Sequence, residues 1–452
     1  MAQKTALIVG MAKSGVASAR LLAQDGYRVI INDQKQDIPG LKQALAGIDF
    51  IDGLGVAPKT LLAGVDLMVL SPVVPIFQPF ALEAARRGVE VIGEIELGYR
   101  YLHKDCKLVC ISGTNGKTTT TALTGALFNT AGKHTFVLGN IGVPITQRAM
   151  ETRAGDVVVA ETAALQLESI CDFHANAVGM LNITEDHLNR FQYKMENYIA
   201  AKCRLFEKQM AEDFAVLNAD DPIVWDMARL TKARVLPFSQ TKQLDEGMFV
   251  RDGYMLWRFN GSETRLIRLD ALQIPGAHNV ENALCAAALA MCMGLEAEAV
   301  CRGLTAFKGV EHRIEFVREK DGVRYVNDSK GTNPDSTIKA VQAMDRPTIL
   351  LLGVGNYDKK SDFTPLFKAF GDTVKGVVAS GCNIPAIQKA AAETGFAPVR
   401  LCGDDLAEMV GMAADMAAPG YTVLLSPAAA SWGVYENFEE RGRIFKNIVN
   451  GL

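Results

Sequence analysis

The fold is decided by the stretch Lys107-Leu108-Val109-Cys110-Ile111-Ser112-Gly113-Thr114-Asn115-Gly116-Lys117-Thr118-Thr119. Its apolar start predicts a buried strand, and the run 122–127 that follows predicts a helix. Glycines in the turn between them let backbone N–H groups approach phosphate oxygens, and Lys117 adds a mobile charge beside the positive end of the helix. The turn is shorter than the full phosphate-loop pattern because Ile111 occupies the position of the first glycine. We therefore expect a phosphate-binding loop, with a glycine-rich helix cap as the alternative.

Two further polar residues follow strands that we expect beside this one. Glu161 ends the apolar run 156–160, and His187 follows the run 178–183. Ligands of an open parallel sheet bind beyond the carboxyl ends of its strands, so the phosphate loop, Glu161 and His187 should converge. The Thr118 hydroxyl is placed to hold Mg²⁺, and a nearby carboxylate suits this oxygen-preferring cation. The alternatives are a helix-capping role for Glu161 and a structural role for His187.

Composition excludes several classes of protein. The 452 residues include 47 Lys plus Arg and 51 Asp plus Glu, a net charge of -4 that argues against nucleic acid as the main partner. No apolar run approaches the length of a membrane span, and the first residues pass into a strand without a signal peptide. The 9 cysteines never show C-x-x-C spacing, so we expect neither a disulfide framework nor a structural zinc site. These features predict a cytoplasmic enzyme.

Strands alternate with helical patterns along the whole chain, which predicts an α/β protein with parallel sheets. We expect three consecutive α/β domains: a Rossmann-like domain over 1–104, a P-loop ATPase-like domain over 105–309 and a second Rossmann-like domain over 310–452. Residues 251–269 have the pattern of an antiparallel ribbon.

The first domain has its own glycine-rich turn, Gly10-Met11-Ala12-Lys13-Ser14-Gly15. Lys13 and Ser14 at a helix start suit a diphosphate. A dinucleotide site, with Asp33 on an adenosine ribose, is the alternative, but its G-x-G-x-x-G pattern requires glycine where Ala12 stands.

Motifs in the same order along nearly the whole chain resemble those of the Mur ligase family. These motifs are residues 113–119, Glu161 with 166–168, 184–188, 201–204, 278–283, 312–315, 327–333 and 425–428. The resemblance implies an ATP-dependent, amide-forming enzyme of peptidoglycan precursor synthesis that works through an acyl phosphate.

The resemblance also implies residue roles. The ATP-binding residues would be Gly113, Thr114, Asn115, Gly116, Lys117, Thr118, Thr119, Asn279, Asn282, Arg313, Asp328 and Lys330. The catalytic set would be Lys117, Glu161, His187, Lys202 and Arg313. Two Mg²⁺ ions would be held by Thr118, Glu161, His187 and a carbamylated Lys202. By composition alone, Lys202 would be assigned to a solvated helix face.

Both ends of the chain resemble the branch of the family that adds D-glutamate to UDP-N-acetylmuramoyl-L-alanine. The resemblance places the UDP-substrate on Lys13, Ser14, Asp33, Asn140 and His187. It places D-glutamate on Thr332, Lys359, Ser431 and Phe438, although Lys359 could equally belong to a solvated lysine pair. We expect these two small molecules as partners of a monomer, without nucleic acid or membrane.

The chain departs from the family pattern in three places. Thr162-Ala163-Ala164-Leu165 replaces a hydroxyl-rich segment, Asn189 replaces an aspartate, and Gly433-Val434 replaces Asp-Gln in the segment that begins at Ser431. Two other functions therefore stay open. One is a related amide ligase such as a folylpolyglutamate synthase, which would lack the first domain. The other is a nucleotide-gated binding protein with impaired catalysis.

Overall fold

The computed structural model describes residues 3–186, 188, 190–274, 276–355, 361–431 and 433–452. Its strands form 3 sheets of 5, 9 and 6 strands. The chain divides into two compact units, Met1–Gln273 with Ala277–Phe307, and Ile274–Gly276 with Lys308–Leu452. The first unit holds the first two sheets and the second unit holds the third.

The first sheet has the order β3-β2-β1-β4-β5 and is parallel throughout. Its strands are β1 Thr5–Val9, β2 Arg28–Asn32, β3 Phe50–Asp52, β4 Leu67–Leu70 and β5 Glu90–Gly93. The helices of this part are α1 Lys13–Gln24, α2 Leu41–Ala44, α3 Pro79–Arg86 and α4 Glu94–Arg100. Alternate residues of β1 belong to two different apolar clusters, so both faces of the sheet are covered, as parallel sheets require.

The second sheet has the order β14-β13-β12-β11-β10-β9-β6-β8-β7. Its strands are β6 Lys107–Ser112, β7 Thr135–Gly139, β8 Val157–Glu161, β9 Ala177–Met180, β10 Phe214–Asn218, β11 Arg234–Ser239, β12 Gly247–Arg251, β13 Tyr254–Phe259 and β14 Ser262–Arg268. The helices are α5 Lys117–Thr130, α6 Ile145–Arg148, α7 Ala164–Leu167, α8 Met195–Cys203, α9 Pro222–Asp226, α10 Ala277–Cys292 and α11 Ala297–Ala306. Strands β6–β11 pair in parallel, and β13 pairs antiparallel with both β12 and β14, which confirms the expected ribbon.

The third sheet has the order β15-β16-β20-β17-β18-β19, with β15 as its one antiparallel edge strand. Its strands are β15 Glu315–Lys320, β16 Val323–Asn327, β17 Thr348–Leu352, β18 Val374–Ala379, β19 Val399–Leu401 and β20 Thr422–Leu425. The helices are α12 Pro334–Gln342, α13 Thr364–Lys368, α14 Ile384–Thr394, α15 Leu406–Met416 and α16 Phe438–Gly451. Apolar clusters cover both faces of this sheet as well. The predicted fold class, three consecutive α/β domains, is confirmed.

The weak helical pattern of residues 94–107 predicts a connector between the first two domains, and in the structure this segment also makes buried polar contacts. Glu94 of α4 is buried and accepts hydrogen bonds from the Thr146 amide at 2.9 Å and its hydroxyl at 2.7 Å. Glu96 is also buried and accepts from three successive amides, those of residues 171–173. Burial raises the pKa of Glu94. Two buried carboxylates therefore attach helix α4 to Thr146 and to the backbone of residues 171–173.

The sequence pattern over 195–210 predicts one long helix, but the helix in the structure is shorter. Helix α8 ends at Cys203, and a 3-10 turn, Arg204–Phe206, follows it. Leu205 and Phe206 are buried in the core there, so the apolar pattern that suggested a longer helix comes from a tighter turn. Among the described residues, no helix is long and apolar enough to cross a membrane.

Candidate active site

The predicted phosphate loop joins β6 to α5. Gly116 precedes α5 with φ +83°, and a Cβ at this position would lie 2.2 Å from Asn282 Oδ1. Gly113 has φ +146°, and a Cβ there would lie 3.0 Å from Leu181 Cβ. The α5 helix lacks a capping side chain because its N-cap is a glycine, so its first-turn amides have no partner from that residue. This is the backbone arrangement that binds phosphate at a helix start.

Two lysines share one carbonyl of the loop. Lys117 Nζ donates to Gly113 O at 2.9 Å and to Thr114 O at 2.7 Å. Lys202 Nζ, from α8, donates to the same Gly113 O at 2.7 Å. The structure thus brings Lys202 to the phosphate loop, although the two lysines lie far apart in sequence.

Lys202 is almost completely buried, and its ammonium lies 4.8 Å from the centre of the Tyr198 ring. Burial lowers the pKa of Lys202 well below its usual range, and the nearby charge of Lys117 lowers it further. A lysine in such surroundings loses its proton easily, and only a neutral amine reacts with CO₂. The assignment of Lys202 to a solvated helix face, which composition alone suggests, is therefore wrong.

Glu161, the last residue of β8, is buried beside the loop. Its Oε1 accepts a hydrogen bond from Asn140 Nδ2 at 2.8 Å. Within the part of the chain that the structure describes, its Oε2 is buried without a hydrogen-bond partner. An unpaired buried carboxylate oxygen is costly unless a cation neutralises it. Glu161 and Lys117 both influence the pKa of Lys202, which shows that these charged groups are neighbours.

This donor set fits Mg²⁺. Mg²⁺ in phosphate-transfer sites takes one or two carboxylates, phosphate oxygens and waters, not a cage of protein ligands. Glu161 Oε2 supplies one unpaired oxygen, and Thr118 lies at the start of α5 on the same loop. Among the described residues no group of three or more His, Cys, Asp or Glu could hold a metal ion.

The α10 helix brings two predicted nucleotide residues to the loop. Asn282 accepts a hydrogen bond from the Thr120 hydroxyl at 3.2 Å and donates to Asn279 Oδ1 at 3.0 Å. With Gly116 against its side-chain oxygen, Asn282 is packed directly on the loop. Helices α5 and α10, which lie far apart in sequence, therefore meet at the predicted phosphate loop.

The altered segment after Glu161 does not replace the missing hydroxyls. Thr162 is fully buried, and its hydroxyl donates inward to Ile111 O at 3.2 Å. The next two residues are alanines, so residues 162–164 offer no side-chain hydroxyl to a ligand.

In the first sheet, Asp33 organises the first glycine-rich turn. Its Oδ2 accepts from the Met11 amide at 2.9 Å, and its Oδ1 accepts from the Lys35 amide at 3.1 Å. Ser14 Oγ lies 3.3 Å from Ser71 Oγ, which follows β4, so two hydroxyls meet at the start of α1. Lys13 is exposed beside them and lines a cavity of about 890 Å³ between α1 and α6.

The second unit contains the remaining described residues of the predicted site. Asp328 follows β16, is buried, and accepts from Ser426 Oγ at 2.6 Å and from the Ile314 amide at 3.2 Å. Burial raises the pKa of Asp328 to about 6, against the lowering effects of Ser426 and Arg313. Lys330 Nζ lies 5.9 Å from the centre of the Phe438 ring. Ser431 is buried and Thr332 is half-buried in the same unit.

Sequence reasoning missed two residues that organise these loops. Tyr198 hydrogen-bonds Thr114 Oγ1 at 3.1 Å and lies under Lys202, and its position one helical turn before Lys202 could have revealed it. Arg441 of α16 is fully buried and donates to the carbonyls of Ser329, Val354 and Ala429. No sequence signal marks Arg441, because burial of an arginine is a tertiary property.

His187 and Lys359 lie outside the described residues, as do Asn189 and Trp432. The first unit brings together the loop 113–119, Asn140, Glu161, Lys202 and the asparagines of α10, and separately Lys13, Ser14 and Asp33 at α1. The roles of all these residues toward ligands remain predictions.

A phosphate loop beside a buried carboxylate and a buried lysine defines a nucleotide-dependent enzyme of the P-loop kind. Family models match three successive parts of the chain: the Mur ligase MurD-like N-terminal domain over 4–93, the Mur ligase middle domain over 111–290, and the Mur ligase glutamate ligase domain over 312–429. The chain belongs to the Mur ligase family.

Curated relatives extend over the full length. The UDP-N-acetylmuramoylalanine--D-glutamate ligase of Alkaliphilus metalliredigens is 43% identical, covering 99% of this chain and 98% of its own length. The enzyme of that name from Clostridioides difficile is 41% identical, with 99% of both chains covered. Among solved structures, UDP-N-acetylmuramate-alanine ligase MurC from Thermotoga maritima covers 100% of both chains with a TM-score of 0.59 at 18% identity, which shows the shared fold.

Proposed function

We propose that this enzyme adds D-glutamate to UDP-N-acetylmuramoyl-L-alanine at the expense of ATP. Relatives of that name, 41–43% identical over the full length, support the substrates. The observation that carries the chemistry is the meeting of Lys117, Lys202 and Glu161 at one glycine-rich loop, where Glu161 Oε2 has no hydrogen-bond partner among the described residues.

In the first step, the terminal carboxylate of the UDP-substrate attacks the γ-phosphorus of ATP, so a carboxyl O–P bond forms and ADP leaves. Lys117 transfers its hydrogen bonds from the carbonyls of Gly113 and Thr114 to the phosphates, where its charge stabilises the transferring group. Mg²⁺, when bound, would supply further charge neutralisation. Thr118 and Glu161 would hold one ion, and His187 and a carbamylated Lys202 would hold a second.

In the second step, the amine of D-glutamate attacks the acyl phosphate carbon, and phosphate leaves from a tetrahedral intermediate. We assign D-glutamate to Thr332, Lys359, Ser431 and Phe438, and we assign Arg313, Asp328 and Lys330 to the nucleotide. Arg441 fixes the backbone from which two of these pocket segments start, at Ser329 and Ala429. An acyl phosphate hydrolyses readily, so exclusion of water is a requirement of this mechanism.

The test is phosphate release from ATP with UDP-N-acetylmuramoyl-L-alanine and a panel of amino acids. We expect release with D-glutamate and not with L-glutamate. Lys117→Met should lower kcat about 100-fold or more, as loss of a preorganised charge does. Lys133→Met is the matched control, because Lys133 is exposed just after the same helix. No release above background with D-glutamate would refute the proposal.

The same assay addresses the alternatives. Release with L-glutamate and a folate would support a folylpolyglutamate synthase, although the matched N-terminal domain model over 4–93 favours the UDP-substrate. Nucleotide binding without turnover would support the alternative of a binding protein with impaired catalysis, which rests on the altered segment 162–165. We further propose that a monomer acts in the cytoplasm, where ATP is available, with domain boundaries near 104 and 309.

A further inference from the structure

The Arg190 guanidinium joins two segments that belong to different sheets. On one side it forms an ion pair with Glu168, with Nη2 2.5 Å from Oε2 and Nε 3.3 Å from Oε1. Both side chains are only 12% exposed, so solvent screens this forked pair less than a surface pair.

On its other side, Arg190 holds the segment that follows β4. Nη1 donates to Val73 O at 3.2 Å, and the guanidinium carbon lies 5.5 Å from the centre of the Phe77 ring. This segment begins at Ser71, whose hydroxyl faces that of Ser14 at the proposed diphosphate position. Arg190 therefore touches the chain two residues beyond Ser71, the neighbour of Ser14, which is assigned to the UDP-substrate.

Two arginines connect the segments that carry the proposed metal ligands. Glu168 immediately follows α7, a short helix that comes after Glu161, and Arg190 lies three residues after His187. Arg204, two residues after Lys202, donates to the carbonyls of Leu167, Glu168 and Ile170. Movement of Arg190 would thus be transmitted to the segment that starts at Glu161.

We propose that Arg190 is a positioning residue that couples occupancy of the UDP-substrate site to the affinity of the metal–nucleotide site. A diphosphate bound at Ser14 and Ser71 fixes residues 72–77. The Arg190 fork can then satisfy Val73 O and the Glu168 carboxylate in one position only, which orders α7 and the Glu161 carboxylate. This inference rests on the proposed function for the identity of the UDP-substrate.

The test is calorimetric binding of Mg²⁺–ADP, which cannot turn over, with and without UDP-N-acetylmuramoyl-L-alanine. In the unmodified enzyme, the UDP-substrate should tighten Mg²⁺–ADP binding about 5-fold or more, a typical coupling between sites. Arg190→Gln should reduce this factor to below about 2. Arg190→Lys should restore little of the coupling, because lysine lacks the forked donor geometry of arginine.

Phe77→Ala is the decisive variant if changes at Arg190 impair folding. The Phe77 side chain is 48% exposed and contacts Arg190 from the first sheet's side, so its removal should spare the fold but lower the coupling factor. Arg234→Gln is the matched control, since Arg234 of β11 also pairs with a carboxylate and an aromatic ring. Its Nη2 lies 2.7 Å from Glu246 Oε1, and its guanidinium carbon lies 4.1 Å from the centre of the Phe259 ring. Arg234→Gln should keep the full coupling factor.

Two results would overturn the inference: no tightening in the unmodified enzyme, or a full factor in folded Arg190→Gln or in Phe77→Ala. Product formation with D-glutamate is measured separately on the unmodified enzyme. If the enzyme forms product but shows no coupling, the proposed function stands and this inference fails. If the enzyme shows coupling but forms no product, the coupling stands and the proposed function fails.

Discussion

Replacing Gly116 by alanine tests the phosphate loop most directly. Gly116 adopts φ +83°, where a residue with a Cβ costs about 1–2 kcal/mol. In addition, its Cβ would lie 2.2 Å from Asn282 Oδ1. Close C···O contacts are about 3.3 Å. Because hydrogen bonds with Thr120 and Asn279 hold the Asn282 side chain in place, we expect the loop to shift by about 1 Å.

Such a displacement moves the first amides of α5 away from the phosphate. Loss of one hydrogen bond to a charged group costs about 1.5–3 kcal/mol, which raises Kd for ATP by about 10- to 150-fold. Gly132→Ala is the matched control, because Gly132 lies just after the other end of α5 with φ +77° and nothing within 4 Å of a Cβ. It should lose a similar free energy of unfolding without losing ATP affinity.

Calorimetric titration with ATP and urea unfolding measure the two effects. The double variant Gly116→Ala/Asn282→Ala should lose less ATP affinity than the sum of the single changes, since the colliding oxygen is gone. The reasoning fails if Gly116→Ala binds ATP like the unmodified enzyme, or if Gly132→Ala weakens ATP binding equally.

Three other predictions concern buried charges. Glu161→Gln should raise the half-saturating Mg²⁺ concentration about tenfold or more in calorimetry with ADP. It should not lower Tm, because Glu161 Oε2 has no hydrogen-bond partner to lose in the described part of the chain; unchanged Mg²⁺ dependence would contradict this. Burial raises the pKa of Asp328 from 3.8 to about 6, so the folded state binds more protons between these values. The free energy of unfolding should therefore fall by about 3 kcal/mol as pH rises through this range. Urea titrations at several pH values measure this fall, and Asp328→Asn should remove it. An identical pH slope in the variant would argue against this role of Asp328. Arg441→Met should cost about 3 kcal/mol or more, measured by urea unfolding, since three carbonyls lose a buried donor; a loss below about 1 kcal/mol would show that they find other partners.

Local sequence determined the parts of this protein that depend on short-range chemistry. The strand–loop–helix unit around 107–127, the buried parallel strands and the ribbon over 251–269 follow from apolar periodicity and glycine placement. The convergence of the loop with Glu161 also followed, because parallel strands place their carboxyl ends at one edge.

Only the tertiary structure decided which charged groups are buried and what they contact. Lys202 and a solvated helical lysine have the same local pattern, yet packing buries Lys202 against Tyr198 and the loop. The short strands β3 and β19 and the buried Arg441 carry no periodic signal of their own. Periodicity reports the face that a residue presents, whereas the neighbours that meet on that face, and with them the pKa values and the polar contacts, are set by distant segments of the chain.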